Sequence, residues 1–174
     1  MIQIGAAPSA TIDSPIEHLM ACHRRIEQRL DTLVDAAGHI ENDRIAAFTA
    51  IAHSLHFLDT SGALHTEDEE ASLFPRLRGK LSSAEVAFVE SLEAQHTEAE
   101  SIFAELKRLA LQLEAEDACS PLLIDQYRGC AEGLRSLYRA HIQAEDENLT
   151  PLAKRCLDDA EIAGISREMR ERRA

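Results

Sequence analysis

With 174 residues, 31 acidic against 18 basic side chains and a formal net charge of −13, the chain is long enough for one domain with a core, and its charge opposes binding to nucleic acid or to an anionic membrane surface. Aromatic residues are 4% of the total, Trp is absent, and the seven Gly and five Pro are few, which argues against a turn-rich β architecture and for an all-α fold. No stretch approaches the roughly 20 consecutive apolar residues of a membrane span. Cys22, Cys119, Cys130 and Cys156 lack C-x-x-C spacing and the N-terminus lacks a basic start and an apolar run, so a reduced, soluble, cytoplasmic protein is expected.

Residues 1–14 read as an N-terminal tail. Asp13-Ser14-Pro15 then supplies a cap and an early proline, and Leu19, Ile26, Leu30, Leu33 and Val34 recur at helical spacing, which predicts a first helix over about 15–37 ending at Gly38. Asn42-Asp43 caps a second, over about 44–78, carried by Ile45, Phe48, Ile51 and Leu55; a kink or interruption is expected at Ser61-Gly62 and an irregular last turn at Pro75. A third helix, capped by Ser82 or Ser83, reaches about residue 117. Ser120-Pro121 starts a fourth that ends near Cys156. The mixed-charge segment 158–174 predicts a short fifth helix docked on the outside, its basic end suiting the helix dipole. Short connections between long helices predict an up-down-up-down antiparallel four-helix bundle over 15–157, with the extra C-terminal helix packed on the same domain.

Residues 65–75 read HTEDEEASLFP and residues 141–151 read HIQAEDENLTP. Each puts a histidine four residues before a glutamate and ten before a proline. In an antiparallel bundle the start of helix one, the end of helix two, the start of helix three and the end of helix four share one end. Counted from that end, His23, His65, His96 and His141 lie about 8, 13, 14 and 15 residues deep, roughly 12 to 22 Å at ~1.5 Å per residue. One histidine from each helix is therefore expected in a single layer. His53 and His56 lie nearer the other end, His39 in the first loop, and His18 faces away.

Each of the four histidines has a glutamate at i+4: Glu27, Glu69, Glu100 and Glu145. Residues four apart share a helix face, so both side chains can converge on one centre. Imidazoles with inward carboxylates offer donors of intermediate hardness, suited to iron or manganese and less specifically to zinc. Buried carboxylates demand neutralisation, and two cations would supply it. Four histidines with two bridging glutamates would hold two ions. Glu27 and Glu100 are weighed as further carboxylates but read first as surface or outer-sphere residues. Asp146, five residues after His141, would turn inward only on a π-bulge, since i+5 is offset by about 140° on a regular helix.

In combination, CHRRIEQRL, HTEDEEASLFPRL, EAQHTEAESIFAEL and HIQAEDENLTPLA resemble the ligand helices of the hemerythrin-like cation-binding family, the His-His-Glu domains. The resemblance implies a non-haem di-iron centre with an oxo or hydroxo bridge. His23, His65, His96 and His141 would be terminal ligands, and Glu69 and Glu145 would bridge. Oxygen-carrying hemerythrins have a second histidine where this chain has Glu100. The pattern is therefore more similar to the four-histidine, two-glutamate centres of bacterial iron-sulfur-cluster repair proteins, or of the iron-sensing domain of a eukaryotic F-box protein.

The function expected is to bind, sense or react with a small diatomic or peroxide ligand such as O2, NO or H2O2; Tyr138, one turn before His141, reads first as core and second as a group that could reach the centre. The alternatives are iron storage, sensing or delivery, for which the charged segment 158–174 is the candidate partner surface. A monomer or weak dimer is expected.

Overall fold

The apolar repeats form four long helical rods and one short helix, in a computed structural model that describes residues 12–115 and 120–174. The first rod is α1 (Pro15–Ala37). The second runs from 44 to 78 as α2 (Arg44–Phe57), a π-helical turn (Leu58–Gly62), α3 (Ala63–Asp68), a second π turn (Glu69–Leu73) and α4 (Phe74–Arg78). The third is α5 (Ser83–Ala115). The fourth joins α6 (Pro121–Ala144), a π turn (Glu145–Leu149) and α7 (Thr150–Cys156), and α8 (Asp159–Glu171) closes the chain. The rods pack as an all-α antiparallel bundle, each against its sequence neighbour, with α1 closing the ring against α6. No helix among the described residues is long and apolar enough to cross a membrane.

Local chemistry sets the boundaries. Asp43 accepts from Ala46 N at 3.2 Å to cap α2. Ser82 and Glu85 form a reciprocal cap before α5: Glu85 Oε2 accepts from Ser82 N at 2.8 Å and Ser82 Oγ from Glu85 N at 3.4 Å. Asp158 and Glu161 do the same for α8, each pair satisfying amides that a helix start leaves without partners. The interruption expected at Ser61-Gly62 is the first π turn. Pro75 and Pro151 each fall at the second residue of a new α segment directly after a π turn. Proline has no N–H for the carbonyl four residues back, and a π turn absorbs that misfit without breaking the rod. Most of the 1–14 tail and the end expected for the third helix lie outside the described residues, as does Cys119. The free cysteines Cys22, Cys130 and Cys156 make no disulfide among the described residues.

The core is two apolar clusters rather than one. The first includes Ile26, Leu30, Leu33, Ile51, Leu106, Leu113, Tyr127 and Leu134. The second includes Ile16, Leu19, Phe74, Leu77, Val89, Leu92, Leu149, Ile165 and Met169. Along every rod the switch between clusters falls at or within a few residues of the histidine. Buried polar residues His23, His65, Glu69, His96, His141 and Glu145 occupy the plane between them.

α8 lies against α1 and the second rod. Ile165 and Met169 are fully buried, and the basic end does not merely face its own dipole: Arg172 and Arg173 pair with buried Asp68 at 2.9 and 2.6 Å. The segment expected to offer a partner surface spends much of its polar chemistry within the chain. Leu106→Ala, a fully buried truncation far from the polar plane, is expected to destabilise the fold by about 2–5 kcal/mol without altering metal stoichiometry of the folded protein, checked by denaturant unfolding and metal analysis. Glu168 is held down to about 2 by its hydrogen bonds with Arg76. Its contribution is fully present above the ordinary 4.5 and lost as pH falls through about 2. Acid unfolding of Glu168→Gln is expected to lack that component.

Candidate metal centre

Four rods each deliver one imidazole to the polar plane. His23, His65, His96 and His141 are all buried, and Glu69 and Glu145 are at 1% exposure. At the spacing of four, His65 Nε2 lies 3.3 Å from Glu69 Oε1, and His141 Nε2 lies 3.2 Å from Glu145 Oε1. Each carboxylate also spans the plane. The second oxygen of Glu69 lies 3.5 Å from His96 Nε2, and that of Glu145 lies 3.1 Å from His23 Nε2. Two donor sets result, His23, His65, Glu69, Glu145 and Glu69, His96, His141, Glu145, with the donor atoms of each within 4.8 Å of one another.

The outer ring nitrogens fix which way the lone pairs point. His96 Nδ1 donates to Glu70 Oε1 at 2.8 Å, His23 Nδ1 to Asp146 Oδ1 at 3.0 Å, and His141 Nδ1 to Gln95 Oε1 at 2.9 Å. A neutral imidazole that donates through Nδ1 presents an Nε2 lone pair, the form that binds metals. His96 Nε2 and His141 Nε2 then face each other at 3.0 Å, a repulsive contact unless a cation or a proton lies between them. His23 Nε2, Glu69 Oε2 and both Glu145 oxygens are buried without hydrogen-bond partners. Such a set of inward lone pairs fits a cation centre and little else.

Protons are the competitors for these donors. Burial lowers the His23 pKa, but Glu145 and Glu69 outweigh it and raise it to about 11. Burial, then the charge of Glu145, raises Glu69 to about 8. Burial would also raise Glu145, yet the His141 and His23 rings, 3.2 and 3.1 Å from its oxygens, hold it below the ordinary carboxylate range. Burial and the neighbouring imidazoles push His65 well down, and burial with His141 lowers His96. Two carboxylates and four imidazoles in one dry plane thus keep protons at His23 and Glu69 wherever cations do not replace them.

Of the remaining sequence candidates, Glu27 is half-buried on α1 and Glu100 is exposed on α5; neither joins either donor set. Asp146 takes the role of an outer partner to His23, made possible by the π turn that starts at Glu145. Sequence reasoning missed Glu70 and Gln95. Glu70 occupies in the first motif the place of Asp146 in the second, and the twin prolines were the available signal that i+5 positions would turn toward the bundle. The reach is reciprocal: Glu70 of the first helical pair holds His96 of the second, and Asp146 of the second holds His23 of the first.

Residues 14–153 match the hemerythrin HHE cation-binding domain. The chain belongs to that family. An uncharacterized protein of Haemophilus influenzae is similar at 27% identity over 166 residues, covering 94% of this hemerythrin-like chain and 92% of its own length. The buried histidine and glutamate groups make this a metal-binding protein of the hemerythrin type.

Because His23 and Glu69 hold protons at neutral pH that a cation must displace, metal affinity is expected to rise with pH, by at most about two orders of magnitude per pH unit below pH 8. Competition titrations at several pH values and the buffer dependence of the binding heat check the slope. His141→Ala, which removes an inward donor and strands Glu145, is expected to abolish uptake at the set containing His96, measured as metal bound per chain.

Proposed function

We propose that the protein is a non-haem di-iron protein that binds, senses or reacts with a small ligand of the O2, NO or peroxide kind. The observation that carries this reading is a cavity of about 400 Å³ between the second rod and α5 that reaches His96. Six donor residues are sealed between two apolar clusters, and the cavity brings open space up to His96, the one of them in its wall, beside Glu70 and Tyr138. Its wall is part apolar, with Leu58, Ala99, Phe103 and Leu134, and part polar, with Thr66, Thr97, Glu70 and Glu100. At its mouth Lys107 Nζ donates to Asp59 Oδ1 at 2.7 Å and lies over the Phe103 ring at 4.6 Å.

Iron suits the mixed imidazole and carboxylate donors, with manganese or zinc as possible substitutes. His23 and His65 would hold one ion, His96 and His141 the other, and the straddling carboxylates Glu69 and Glu145 would bridge. Bound iron supplies ferrous–ferric one-electron chemistry and an open position for a ligand. The chain's own groups orient and protect that position. Glu70 and Gln95 keep protons on the outer nitrogens of His96 and His141, so that both Nε2 atoms stay available. Tyr138 lines the cavity and meets the His141 ring edge-on at 6.3 Å. Burial, then the charges of Glu69 and Glu145, raises its hydroxyl to about 12, so it keeps its proton and can donate a hydrogen bond to an anionic or polarised ligand. The buried Phe74 ring stacks on His96 at 6.2 Å. A cytoplasmic monomer or weak dimer is consistent with the acidic surface.

A second reading, iron sensing, storage or delivery as in cluster-repair proteins, is favoured by the orphaned buried donors: a fold that carries them is stabilised by whatever cation fills them. Metal analysis and the visible spectrum of aerobically purified protein, before and after dithionite and then NO or peroxide, separate the readings. Two irons per chain with charge-transfer bands that bleach on reduction and change with one ligand would support the first. Iron that leaves readily, with a melting temperature that follows occupancy and a spectrum indifferent to all three ligands, would support the second. Protein that takes up no iron anaerobically and melts identically with and without it would refute both. Ala63→Phe, on the cavity wall, is expected to slow NO binding about ten-fold or more without loss of iron, followed by stopped-flow absorbance.

A further inference from the structure

The C-terminal segment grips the second rod on the face beside the centre. Asp68, Ser72 and Arg76 stand at i, i+4 and i+8 on that rod and present one row of groups to α8. Asp68 is at 0% exposure, and both its oxygens are taken. Arg172 Nε donates to Oδ1 at 2.9 Å, Arg173 Nη1 to Oδ1 at 3.1 Å and Arg173 Nη2 to Oδ2 at 2.6 Å. Arg172 Nη2 also donates to Ser72 Oγ at 2.5 Å, and that hydroxyl donates to Glu168 Oε2 at 2.6 Å. Glu168 completes a two-point pair with Arg76, at 2.6 and 3.0 Å. The approach is close enough that a Cβ on Gly164 would stand 3.0 Å from Arg76 Nη2.

A buried carboxylate held by two guanidinium groups is a poor device for stability alone, because a well-packed apolar contact of the same volume does as well or better. Its particular property is orientation, since a planar guanidinium fork fixes a carboxylate at two points. Asp68 is the residue before Glu69, and Ser72 lies inside the π turn that carries Glu69 and Glu70. The clamp therefore seizes the turn at its start and near its end. The matching turn of the fourth rod has no counterpart. There Ala144 takes the place of Asp68, and Asn148, in the place of Ser72, donates to Ala144 O at 3.1 Å within its own helix.

We propose that Arg172 and Arg173 are positioning residues for the metal centre. Through Asp68 and Ser72 they hold the Glu69–Leu73 turn in the setting that aims Glu69 at both donor sets and Glu70 at His96. Docking of the C-terminal segment and metal binding are then coupled, and the coupling is reciprocal: the clamp tightens metal, and metal tightens the clamp. The inference rests on reading the buried plane as a metal centre.

Cobalt(II), a stand-in for ferrous iron whose d–d absorption reports ligand geometry, tests this in competition with a chelator. The unaltered chain is compared with R172A/R173A, R172K/R173K and R170A, at a temperature where circular dichroism shows all four folded. Arg170 serves as the control because it lies just before them, in the last turn of α8, and pairs with exposed Asp13. The double alanine variant is expected to bind cobalt about ten-fold more weakly with shifted d–d bands. The lysine pair is expected to recover part of the loss, and R170A to match the unaltered chain. In hydrogen exchange, amides of residues 159–171 are expected to be better protected with cobalt than without. Should the double alanine variant not fold, R173A alone carries the same comparison. Unchanged affinity and bands in the clamp variants, even with a lowered melting temperature, would make the arginines structural and overturn the proposal. So would exchange over 159–171 that ignores cobalt. An unaltered chain that takes up no cobalt would instead overturn the metal reading itself, and this inference with it.

Discussion

Neutralisation of buried charge is the constraint on which the rest of the structure depends. Two carboxylates and four imidazoles lie in a dry plane where an isolated ionised group would cost several kcal/mol or more. Cations or retained protons must compensate, and the distances bear this out: His96 Nε2 and His141 Nε2 face each other across 3.0 Å. The bundle is arranged to make that plane tolerable. Apolar clusters seal it above and below, and Glu70, Asp146 and Gln95 stand just outside, fixing the imidazoles rather than ligating.

The π turns reconcile two demands that a regular helix cannot meet together. A glutamate four residues after a histidine faces inward on any α-helix, but the next residue points about 100° away. Widening the turn at Glu69 and at Glu145 leaves the glutamates on the centre and brings Glu70 and Asp146 round to neighbouring imidazoles on other rods. Two adjacent carboxylates thus do different jobs, one facing the centre and one holding a ring in place. The prolines that follow each turn make the irregularity local and fixed, because the rod cannot recover ordinary hydrogen bonding until it has passed them.

Much of this was legible in the sequence. Helical periodicity and caps defined the rods, and counting depth from one bundle end brought His23, His65, His96 and His141 into one layer. The i+4 spacing offered Glu27, Glu69, Glu100 and Glu145 alike, and only the twin motifs set Glu69 and Glu145 apart. What escaped were residues whose direction depends on departures from the regular helix or on partners remote in sequence. Asp146 was tied to a π-bulge in principle, but no local signal short of the paired prolines announced one, and Glu70 shared that fate. Gln95 and Asp68 were invisible for another reason. Their roles come from His141 and from Arg172 and Arg173, 46, 104 and 105 residues away, separations over which periodicity carries no information.

The reciprocal reach between halves has a consequence for ancestry and assembly. Each helical pair brings two imidazoles, one carboxylate that straddles the plane and one that crosses to hold a ring on the opposite pair. That is the pattern of an isologous contact, in which one patch meets its own copy about a twofold axis. A chain of half this length, pairing with itself, would build the same six inward donors and the same crossed props. A single chain that carries both halves is free to let them diverge. Asp68 against Ala144 and Cys22 against Gln95 are two of the positions at which the halves differ.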